Sequence, residues 1–436
     1  MKVIVLGSGV IGVATAYYLA KQGHEVVVIE KSNNSAHGCS FANGGQLSYS
    51  HVETWSNTTF VKAMFKGALF NKSFVKINDY SNVNFYKWIY QFLKNSTPEN
   101  SLKISKKLFK LASYSKDLMK KIIDDESDFN NGEVFDYQQK GSLHFYRSQK
   151  SLNSAIIKLE RLKNLALNYQ ILSPEECLAI EPSLHDLNNN KKLAGGIFFR
   201  EDASGDCHKF VAKLEEICKN KYGVEFIFDC EIKNILTNFK KITGINTSHG
   251  VFVADKYVYA MGSSSINLLA GIGVETSIYP IGGYSLTFNN NKLSFSNIAI
   301  TDNENKIVYS RLGKSIRVAG FVEMNGFKQT NKSQNINFLY NVVAKTFNIE
   351  LDKDKIKEWH GTRPFRPNSI PLIGQINQLD NLYLNTGHGS LGWTNCLSSG
   401  KISADLILEN DNFNKIHEQF NFLFEELKNI FKNPHS

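Results

Sequence analysis

The chain has 436 residues, 42% of them hydrophobic and 21% charged, which fits a globular protein with room for two domains. Its six cysteines are scattered without a C-x-x-C pair, so neither a zinc site nor a disulfide framework is predicted, and a reducing compartment is favoured. The formal net charge is +9, but the lysines are spread without an arginine–aromatic patch, which argues against nucleic-acid binding and leaves a basic face on an anionic membrane open.

The first thirty residues carry the strongest local pattern. A buried strand, a helix and a second strand are predicted over residues 2–6, 10–22 and 25–29. The first turn reads G-x-G-x-x-G: Gly7 makes the tight turn, Gly9 lets the backbone approach a pyrophosphate, and Gly12 lets the helix pack on the strand. In this βαβ context the glycine pattern predicts a dinucleotide site at the helix N-terminus.

The second strand ends on Glu30, 23 residues after Gly7. A carboxylate there can accept hydrogen bonds from a ribose diol and would repel a 2′-phosphate, so NADP is not expected. A signal peptide or membrane span over 3–20 is the alternative, but the stretch holds three glycines and lacks a small-residue cleavage site. Because the strand begins at residue 2, we expect no cleaved leader.

The segment after Glu30 is rich in small and polar residues. It includes Ser40, Asn43, Gly44, Gly45 and Gln46. A loop lying along a cofactor and an ordinary turn are both compatible with these residues.

Residues 51–203 change character towards helices. Helices are predicted over 84–93, 102–123 and 153–168, with strands over 142–146 and 196–200. The helix over 102–123 carries lysines on one face, which indicates a solvated face, with a membrane-facing helix as the lesser alternative.

Residues 204–275 return to an α/β pattern. A helix over 208–220 precedes strands over 224–228, 231–236, 242–246, 251–253 and 256–261. The last of these ends on Gly262 and leads into a helix that ends at residue 269, a weaker repeat of the first strand–glycine–helix pattern.

The remaining elements predict a second sheet and a return to the first domain. An antiparallel meander is predicted over 279–288, 297–300, 306–311 and 316–321, followed by a helix over 338–347 and a strand over 358–363. The last strand, 382–385, enters a glycine-rich turn and a helix over 394–408, and 413–431 is predicted to be an amphipathic tail helix. The tail is expected to pack on the body, with a partner or membrane contact second.

Arginine is rare, with seven among 50 basic residues, and four of the seven lie between 311 and 366. In a chain that otherwise uses lysine, a remaining arginine is expected where a planar hydrogen-bonding fork is needed.

Five segments together resemble the bacterial D-amino acid dehydrogenases, which belong to the FAD-dependent amine oxidoreductases with glycine oxidase and D-amino acid oxidase. The segments are 7–12, 40–46, 283–287, 361–364 and 385–394. They occur in the order of the family, and the similarity runs from residue 1 to about 410. The chain departs from the family at 280–283, where relatives carry a lysine, and at 367–369, where relatives read Pro-Asp-Gly.

The resemblance implies FAD and an α/β fold with two interleaved domains. We predict a Rossmann-type FAD-binding domain over 1–50, 204–275 and 345–436, and an α+β substrate-binding domain, built on an antiparallel sheet, over 51–203 and 276–344. The implied reaction is hydride transfer from Cα of a D-amino acid, with D-alanine favoured, to flavin N5, giving a 2-oxo acid and ammonia. Electrons would leave to a quinone-type acceptor, in the cytoplasm or at the cytoplasmic face of the inner membrane.

Positioning needs a clamp for the substrate carboxylate, and Arg363 stands at the arginine position of the family. Its alternative role is a structural salt bridge. Tyr284 and Tyr309 can hydrogen-bond the substrate or roof the pocket, or be ordinary strand tyrosines. His388 can contact substrate or flavin, or only fix its loop.

The cofactor-binding prediction combines the N-terminal unit, the loop after it and the turn before the last helix, whose N-terminus would face the flavin. It comprises Val3, Gly7, Ser8, Gly9, Val10, Ile11, Gly12, Tyr17, Glu30, Lys31, Ser40, Asn43, Gly44, Gly45, Gln46, Gly262, Gly387, Gly389, Leu391, Gly392 and Thr394. No metal site is predicted. An oxidase of glycine, sarcosine or proline, and a non-catalytic flavin subunit of a complex, remain as alternatives.

Overall fold

The computed structural model describes residues 1–50, 53–70, 74–264, 266–289, 294–328, 332–408, 418–428 and 430. Its α-helices are α1 (Val10–Lys21), α2 (Thr58–Phe70), α3 (Val83–Asn95), α4 (Pro98–Asp125), α5 (Gln149–Glu160), α6 (Pro174–Ile180), α7 (His185–Asn189), α8 (Cys207–Tyr222), α9 (Ile266–Ala270), α10 (Lys332–Phe347), α11 (Gly392–Leu408) and α12 (Phe422–Leu427).

The strands of the first half are β1 (Lys2–Leu6), β2 (Glu25–Ile29), β3 (Gln46–Leu47), β4 (Val75–Ile77), β5 (Ser142–Tyr146), β6 (Tyr169–Leu172), β7 (Gly195–Phe199), β8 (Ala203–Ser204), β9 (Glu225–Ile227) and β10 (Ile232–Asn238). Those of the second half are β11 (Lys241–Thr247), β12 (Gly250–Phe252), β13 (Lys256–Tyr259), β14 (Tyr279–Phe288), β15 (Ala299–Asp302), β16 (Ile307–Leu312), β17 (Ser315–Met324), β18 (Lys357–Phe365), β19 (Leu372–Gln375) and β20 (Leu382–Thr386).

The first sheet has six strands in the order β19-β20-β13-β1-β2-β9. Its strands run parallel except β19, which pairs antiparallel with β20 at one edge. The strands are continuous apolar runs because both faces of the sheet are covered. Helices α1, α8 and α11 pack on one face, and the three-stranded sheet β10-β11-β12 with α9 packs on the other. The carboxyl ends of β1, β2, β13 and β20 lead directly to Gly7, Glu30, Met261 and Gly387, and ligands bind at this edge in open α/β sheets.

The second sheet follows the order β18-β14-β17-β16-β15-β5-β7-β6, and β4 pairs with β17. Helix α10 packs on β14 and β17, and their buried side chains form one core. The predicted meander is wrong in its order, because β14 pairs with β17 and β18 and not with β15. Alternating apolar residues show which face of a strand is buried, but not which strand becomes its neighbour.

Other local predictions need correction. The predicted helix over 153–168 ends at Glu160, and β6 follows, pairing with β7 along the edge of the second sheet. Helix α2 and strand β19 were not predicted. Of the predicted tail helix over 413–431, residues 413–417, 429 and 431 lie outside the described residues. The described part contains a 3-10 turn and the short helix α12 rather than one continuous helix.

The two sheets confirm the predicted fold class, a parallel α/β sheet combined with a mainly antiparallel sheet, in which only β5 with β15 and β4 with β17 run parallel among the described strands. The division into domains stays a proposal. Strand β18 lies in the segment 345–436 that was assigned to the FAD-binding domain, but it pairs with β14, so we propose that 357–365 belongs with the substrate-binding sheet. Among the described residues, no helix combines the length and the hydropathy needed to cross a bilayer.

Candidate active site

A cavity of about 810 Å³ lies between the two sheets. Its walls come from the carboxyl edge of the parallel sheet on one side and from β14, β16, β17 and β18 on the other. This volume is at the upper end of the range for ligand pockets. We call the part lined by Gly7, Gly9, Glu30 and Ser40 the nucleotide end, and the part lined by Gly283, Phe321, Arg363 and His388 the substrate end.

The nucleotide end is built from backbone held in a tight turn. Gly7 has φ +98°, which side-chain-bearing residues rarely adopt. A Cβ at Gly12 would lie 1.9 Å from the carbonyl oxygen of Gly7, so α1 packs against the turn only with glycine there. The N-terminus of α1 therefore faces the cavity and offers a partial positive charge to an anion.

The carboxylate of Glu30 is fixed at the end of β2. One of its oxygens accepts hydrogen bonds from the Ser8 amide (2.9 Å) and the Ser8 hydroxyl (3.1 Å). The other oxygen accepts from the Ser32 amide at 3.0 Å. The Ser40 hydroxyl accepts from the amide of Val10 at 3.0 Å and so ties the following loop to the start of α1.

Most of the predicted cofactor residues lie in the wall of the cavity. Those that line it are Gly7, Gly9, Val10, Ile11, Glu30, Lys31, Ser40, Asn43, Gly44, Gln46, Gly262, Gly389, Leu391, Gly392 and Thr394. Those that do not are Val3, Ser8, Gly12, Tyr17, Gly45 and Gly387.

The residues outside the wall have structural reasons for their positions. Val3 is buried inside β1, and Gly45 and Gly387 adopt positive φ in turns that shape the cavity. Tyr17 lies on the far part of α1, where its hydroxyl donates to Glu126 at 2.8 Å, so the prediction that it contacts the cofactor is wrong. Burial, with the neighbouring Glu126 carboxylate, raises the pKa of Tyr17 far above its usual value.

The loop after the nucleotide end is fixed to the second sheet. The Gln46 side-chain oxygen accepts from the Thr301 hydroxyl at 3.0 Å, and its nitrogen lies 3.3 Å from Nε2 of His144. All three residues line the cavity. Neither Thr301 nor His144 was predicted, because no sequence motif marks them.

Arg363 lies at the substrate end, near the end of β18. Its Nη1 donates to the carbonyl of Gly282 at 3.2 Å and to that of Phe321 at 3.4 Å, and its guanidinium lies 5.8 Å from the ring centre of Trp55. A Cβ at position 283 would lie 2.1 Å from Nη1. Gly283 is therefore the residue that leaves space for the guanidinium.

The guanidinium of Arg363 has no carboxylate partner among the described residues within 4.0 Å. Three other buried or half-buried arginines do: Arg147 pairs with Asp302, Arg317 with Asp206 and Arg366 with Glu426. Burial lowers the pKa of Arg363, and the nearby Cys39 thiol acts in the opposite direction. The side chain stays cationic, because arginine does not lose its proton in proteins. A half-buried cation that lacks an anion pays part of its desolvation cost without compensation, so this geometry fits an anionic ligand.

A β-bulge shapes the substrate end. The register between β14 and β17 shifts between Gly282 and Tyr284, and Phe321 on β17 has φ +69°. Bulky residues rarely adopt this conformation, and bulges often redirect groups beside active sites. Here the bulge aims the Phe321 carbonyl at Arg363, while the ring packs against Tyr284 and against Phe338 of α10. Phe321 itself does not predict a bulge, because phenylalanine favours regular strands.

The two predicted tyrosines do not present free hydroxyl groups to a substrate. Tyr284 touches the cavity, but its hydroxyl donates to Glu323 at 2.6 Å and accepts from Asn335 on α10 at 3.0 Å. Tyr309 is outside the wall and packs on Phe347, with ring centres 5.2 Å apart. The prediction for Tyr309 is therefore wrong.

Strand alternation explains the position of Tyr309. Its neighbours on β16 face the cofactor loop: Val308 contacts Gly44, and the Ser310 hydroxyl donates to the Gly44 carbonyl at 2.7 Å. Successive side chains of a strand point to opposite faces, so Tyr309 points to the helix side of the sheet.

His388 stands between two glycines that adopt positive φ, Gly387 (+83°) and Gly389 (+56°). It lines the cavity, it is 4% exposed, and its Nε2 has no hydrogen-bond partner among the described residues. Burial lowers the pKa of His388 to about 3, so the ring is neutral at physiological pH.

His360 and Trp55 also line the substrate end and were not predicted. The His360 ring centre lies 4.8 Å from that of Tyr284. Burial lowers the pKa of His360, and the Glu323 carboxylate opposes this shift. A lone histidine in a strand carries no motif, so only the fold brings it to the cavity.

A parallel sheet with a nucleotide-binding turn, joined over one cavity to an antiparallel sheet carrying an unpaired arginine, defines a flavin-type oxidoreductase. Residues 2–406 match the family model described as FAD dependent oxidoreductase, and the chain belongs to that family. Its cofactor is FAD.

Within this family the chain belongs with the D-amino acid dehydrogenases. It is 36% identical over 410 residues to a D-amino acid dehydrogenase from Paramagnetospirillum magneticum, covering 93% of this chain and 95% of the relative. It is 34% identical over 419 residues to one from Neisseria meningitidis, covering 94% and 96%. The fold is similar to that of glycine oxidase from Geobacillus kaustophilus, with a TM-score of 0.73 at 19% identity over 94% of this chain and 95% of that one.

The residues around the cavity fit FAD. Gly7 and Gly9 of the turn after β1 line the cavity, and the first turn of α1 faces it through Val10 and Ile11. Nε2 of His388 and Nε1 of Trp393 are buried polar atoms in residues of the cavity wall, without a hydrogen-bond partner among the described residues. Such atoms usually have a partner in the functional state, so they indicate a polar ligand between the sheets.

Proposed function

We propose that the protein oxidises small D-amino acids, D-alanine among them, to a 2-oxo acid and ammonia, and passes the electrons to a quinone-type acceptor. The observation that carries the proposal is the cationic Arg363 in the cavity with no carboxylate partner among the described residues. The names of the relatives support the substrate class.

Arg363 is proposed to bind the substrate carboxylate bidentately through Nη2 and Nε, since the two N–H groups of Nη1 are donated to backbone carbonyls. The carbonyls of Gly282 and Phe321 hold one arm in place before the substrate arrives, so less side-chain entropy is lost on binding. A hydrogen bond to a charged group contributes about 1.5–3 kcal/mol. Lysine would supply the charge without the planar fork.

The walls of the substrate end are proposed to select a small side chain and to exclude water. Trp55, Phe60 and Phe321 line this part of the cavity. Trp55 also packs against Phe365, with ring centres 4.5 Å apart and ring planes tilted by 34°, which supports this part of the wall. Exclusion of water strengthens each charge interaction in the site.

FAD, when bound, supplies the acceptor for the hydride that leaves the substrate Cα. The chain is proposed to hold it with the N-terminus of α1 and with the carboxylate of Glu30 at the nucleotide end. Helix α11 begins at Gly392 in the cavity wall. Its N-terminus would place a partial positive charge of about half a unit near the flavin end of the cofactor. His388 stays neutral, and its Nε2 is proposed to hydrogen-bond the substrate or the cofactor.

Anaerobic bleaching of the bound flavin by a panel of amino acids tests the proposal. D-alanine and other small D-amino acids should bleach it, and the L-enantiomers should not. Bleaching by L-amino acids, or by none of the panel, would contradict the substrate class, and the second result would favour a non-catalytic flavin subunit.

The acceptor is tested separately. With D-alanine in air, a dehydrogenase should reduce a quinone analogue and release little peroxide. Stoichiometric peroxide would instead indicate an oxidase.

We also propose a cytoplasmic location with peripheral contact to the membrane, which the formal net charge of +9 supports.

A further inference from the structure

The outward face of α3 is apolar although it is exposed to solvent. Val83, Tyr86, Tyr90 and Leu93 are spaced three or four residues apart, so they form one line along the helix, which we call the α3 stripe. Tyr90 is 71% exposed. Of the fifteen large hydrophobic side chains that are exposed among the described residues, six lie between 65 and 93, so the exposure is concentrated here.

The opposite face of α3 already supplies the packing that holds the helix. Phe85, Trp88 and Phe92 are buried against the second sheet, and the Trp88 ring nitrogen donates to the Phe365 carbonyl at 3.0 Å. Helix α2 packs beside α3 through Phe60 and Phe92, whose ring centres are 5.7 Å apart. The stripe is therefore not needed for the core, and a face of this kind indicates an interaction surface.

The charges along α2, α3 and the segment between them are mostly of one sign, and the exposed Glu99 at the start of α4 is already paired with Lys103. Residues 58–97 contain six lysines and a single acidic residue, Asp79. Asp79 is buried, and its carboxylate accepts hydrogen bonds from Tyr279 at 2.6 Å and Asn82 at 2.8 Å. Lys87 and Lys94 are exposed on α3 itself. The outer surface is thus apolar and basic, which complements an anionic surface with an apolar interior.

Helix α4 gives the contrast within the same chain. It carries seven lysines and four acidic residues, and none of its large hydrophobic side chains is exposed. Its outward face is therefore an ordinary solvated one, and the alternative of a membrane-facing helix over 102–123 is not supported.

We propose that the α3 stripe, with Lys87 and Lys94, docks the protein on an anionic lipid bilayer, an inference that rests on the membrane contact in the proposed function. Tyrosine rings are favoured at the level of the headgroups, and each lysine near the surface gains attraction to anionic lipid. Phe60 of the neighbouring helix α2 lines the cavity, so docking would place the bilayer beside the wall of the substrate end.

Sedimentation of the holoenzyme with vesicles tests this surface. The wild-type chain should bind vesicles that contain phosphatidylglycerol, with an affinity that falls as salt rises, and bind pure phosphatidylcholine weakly. The variant Tyr90→Ser/Leu93→Ser should lose about tenfold or more in partitioning. Phe239→Ser is the matched control, because Phe239 is 97% exposed in the turn after β10 and should leave partitioning unchanged.

Lys87→Gln/Lys94→Gln should weaken binding roughly 30-fold, from about 1 kcal/mol for each lysine. Lys120→Gln/Lys121→Gln on α4 is its control and should have little effect. Wild-type chain that ignores phosphatidylglycerol, or stripe variants that bind as the wild type does, would overturn the proposal. A stripe variant that changes the sedimentation velocity of the free protein would instead assign the face to a second copy of the chain.

Flavin reduction by D-alanine, measured in solution on the same variants, separates the two proposals. Intact reduction without vesicle binding overturns the docking surface alone. Failure of the wild-type chain to be reduced overturns the proposed function, whatever the vesicles show.

Discussion

At the nucleotide end of the cavity, the groups that face the ligand belong to one continuous stretch of chain and are mostly backbone atoms. At the substrate end, they are side chains on β14, β17, β18 and the turn after β20, which lie far apart in sequence. Binding at the nucleotide end therefore depends on glycines that leave the backbone accessible. Binding at the substrate end depends on the guanidinium of Arg363 and the space around it. Substitutions should separate the two, with loss of cofactor at one end and loss of turnover with cofactor retained at the other.

The largest effect is expected for Gly12→Val. Its Cβ would lie 1.9 Å from the Gly7 carbonyl oxygen, so α1 must move away from the turn, and overpacking of this kind costs about 1–3 kcal/mol or more. The purified variant should carry no flavin absorbance. Gly271→Ala is the control, because Gly271 lies outside the cavity wall and the nearest atom to the added Cβ would be 3.4 Å away. Full flavin content in the Gly12 variant would contradict the account of this end.

Gly283→Ala should lower turnover while the cofactor stays bound. The added methyl group would lie 2.1 Å from Nη1 of Arg363 and would displace the guanidinium. A misplacement of about 1 Å can cost 10²-fold, so kcat/KM for D-alanine should fall roughly 100-fold at normal flavin content. Gly271→Ala, where the new contacts are ordinary at 3.4 Å or more, should leave kcat/KM unchanged. An unchanged value for the Gly283 variant would mean that the position of Arg363 does not matter.

His388 should make the protein sensitive to acid. Burial lowers its pKa in the folded state to about 3, below the unfolded value of about 6.5, so the unfolded chain binds the proton more tightly. The stability that the folded state owes to a neutral His388 is fully present above pH 6.5. As the pH falls towards 3, the free energy of unfolding decreases by up to about 1.4 kcal/mol per pH unit. Urea unfolding at pH 7 and pH 5 should show a smaller loss for His388→Gln than for the wild type. Equal losses would show that His388 is protonated in the folded state.

The smallest effect on catalysis is expected for Tyr284→Phe. Its hydroxyl donates to Glu323 and not to the substrate, so kcat/KM should change by less than about threefold, while the free energy of unfolding falls by about 1–3 kcal/mol. Tyr309→Phe, on the helix side of the same sheet, is the control for catalysis. A much larger loss of kcat/KM for Tyr284→Phe would instead support the prediction from the sequence that Tyr284 hydrogen-bonds the substrate.

The sequence allowed the nucleotide end to be predicted because its information is local. The strand, the glycines and Glu30 lie within thirty residues, and their spacing encodes the turn directly. Tyr17, in contrast, was assigned to the cofactor although it lies two turns of helix further along and faces Glu126.

The substrate end could be predicted only in part. The rarity of arginine, together with the family resemblance, singled out Arg363. Three other arginines form ion pairs with carboxylates, which agrees with the expectation that this chain keeps arginine where a planar fork is needed. Strand patterns placed both tyrosines on the sheet, but the face of Tyr309 depends on the register of β16 against its neighbours. The bulge at Phe321 and the lining by His360 arise from pairing between distant strands, which no local pattern encodes.

The most direct test of the account is kcat/KM for D-alanine in Arg363→Lys, measured on enzyme with full flavin content. We predict a loss of about 10- to 150-fold, the equivalent of 1.5–3 kcal/mol, because lysine keeps the charge and loses the planar fork. Arg311→Lys is the matched control, since Arg311 is another half-buried arginine of this sheet and donates to the Phe295 carbonyl at 2.6 Å. An Arg363→Lys enzyme with the kcat/KM of the wild type would contradict the proposal that this guanidinium binds the substrate carboxylate.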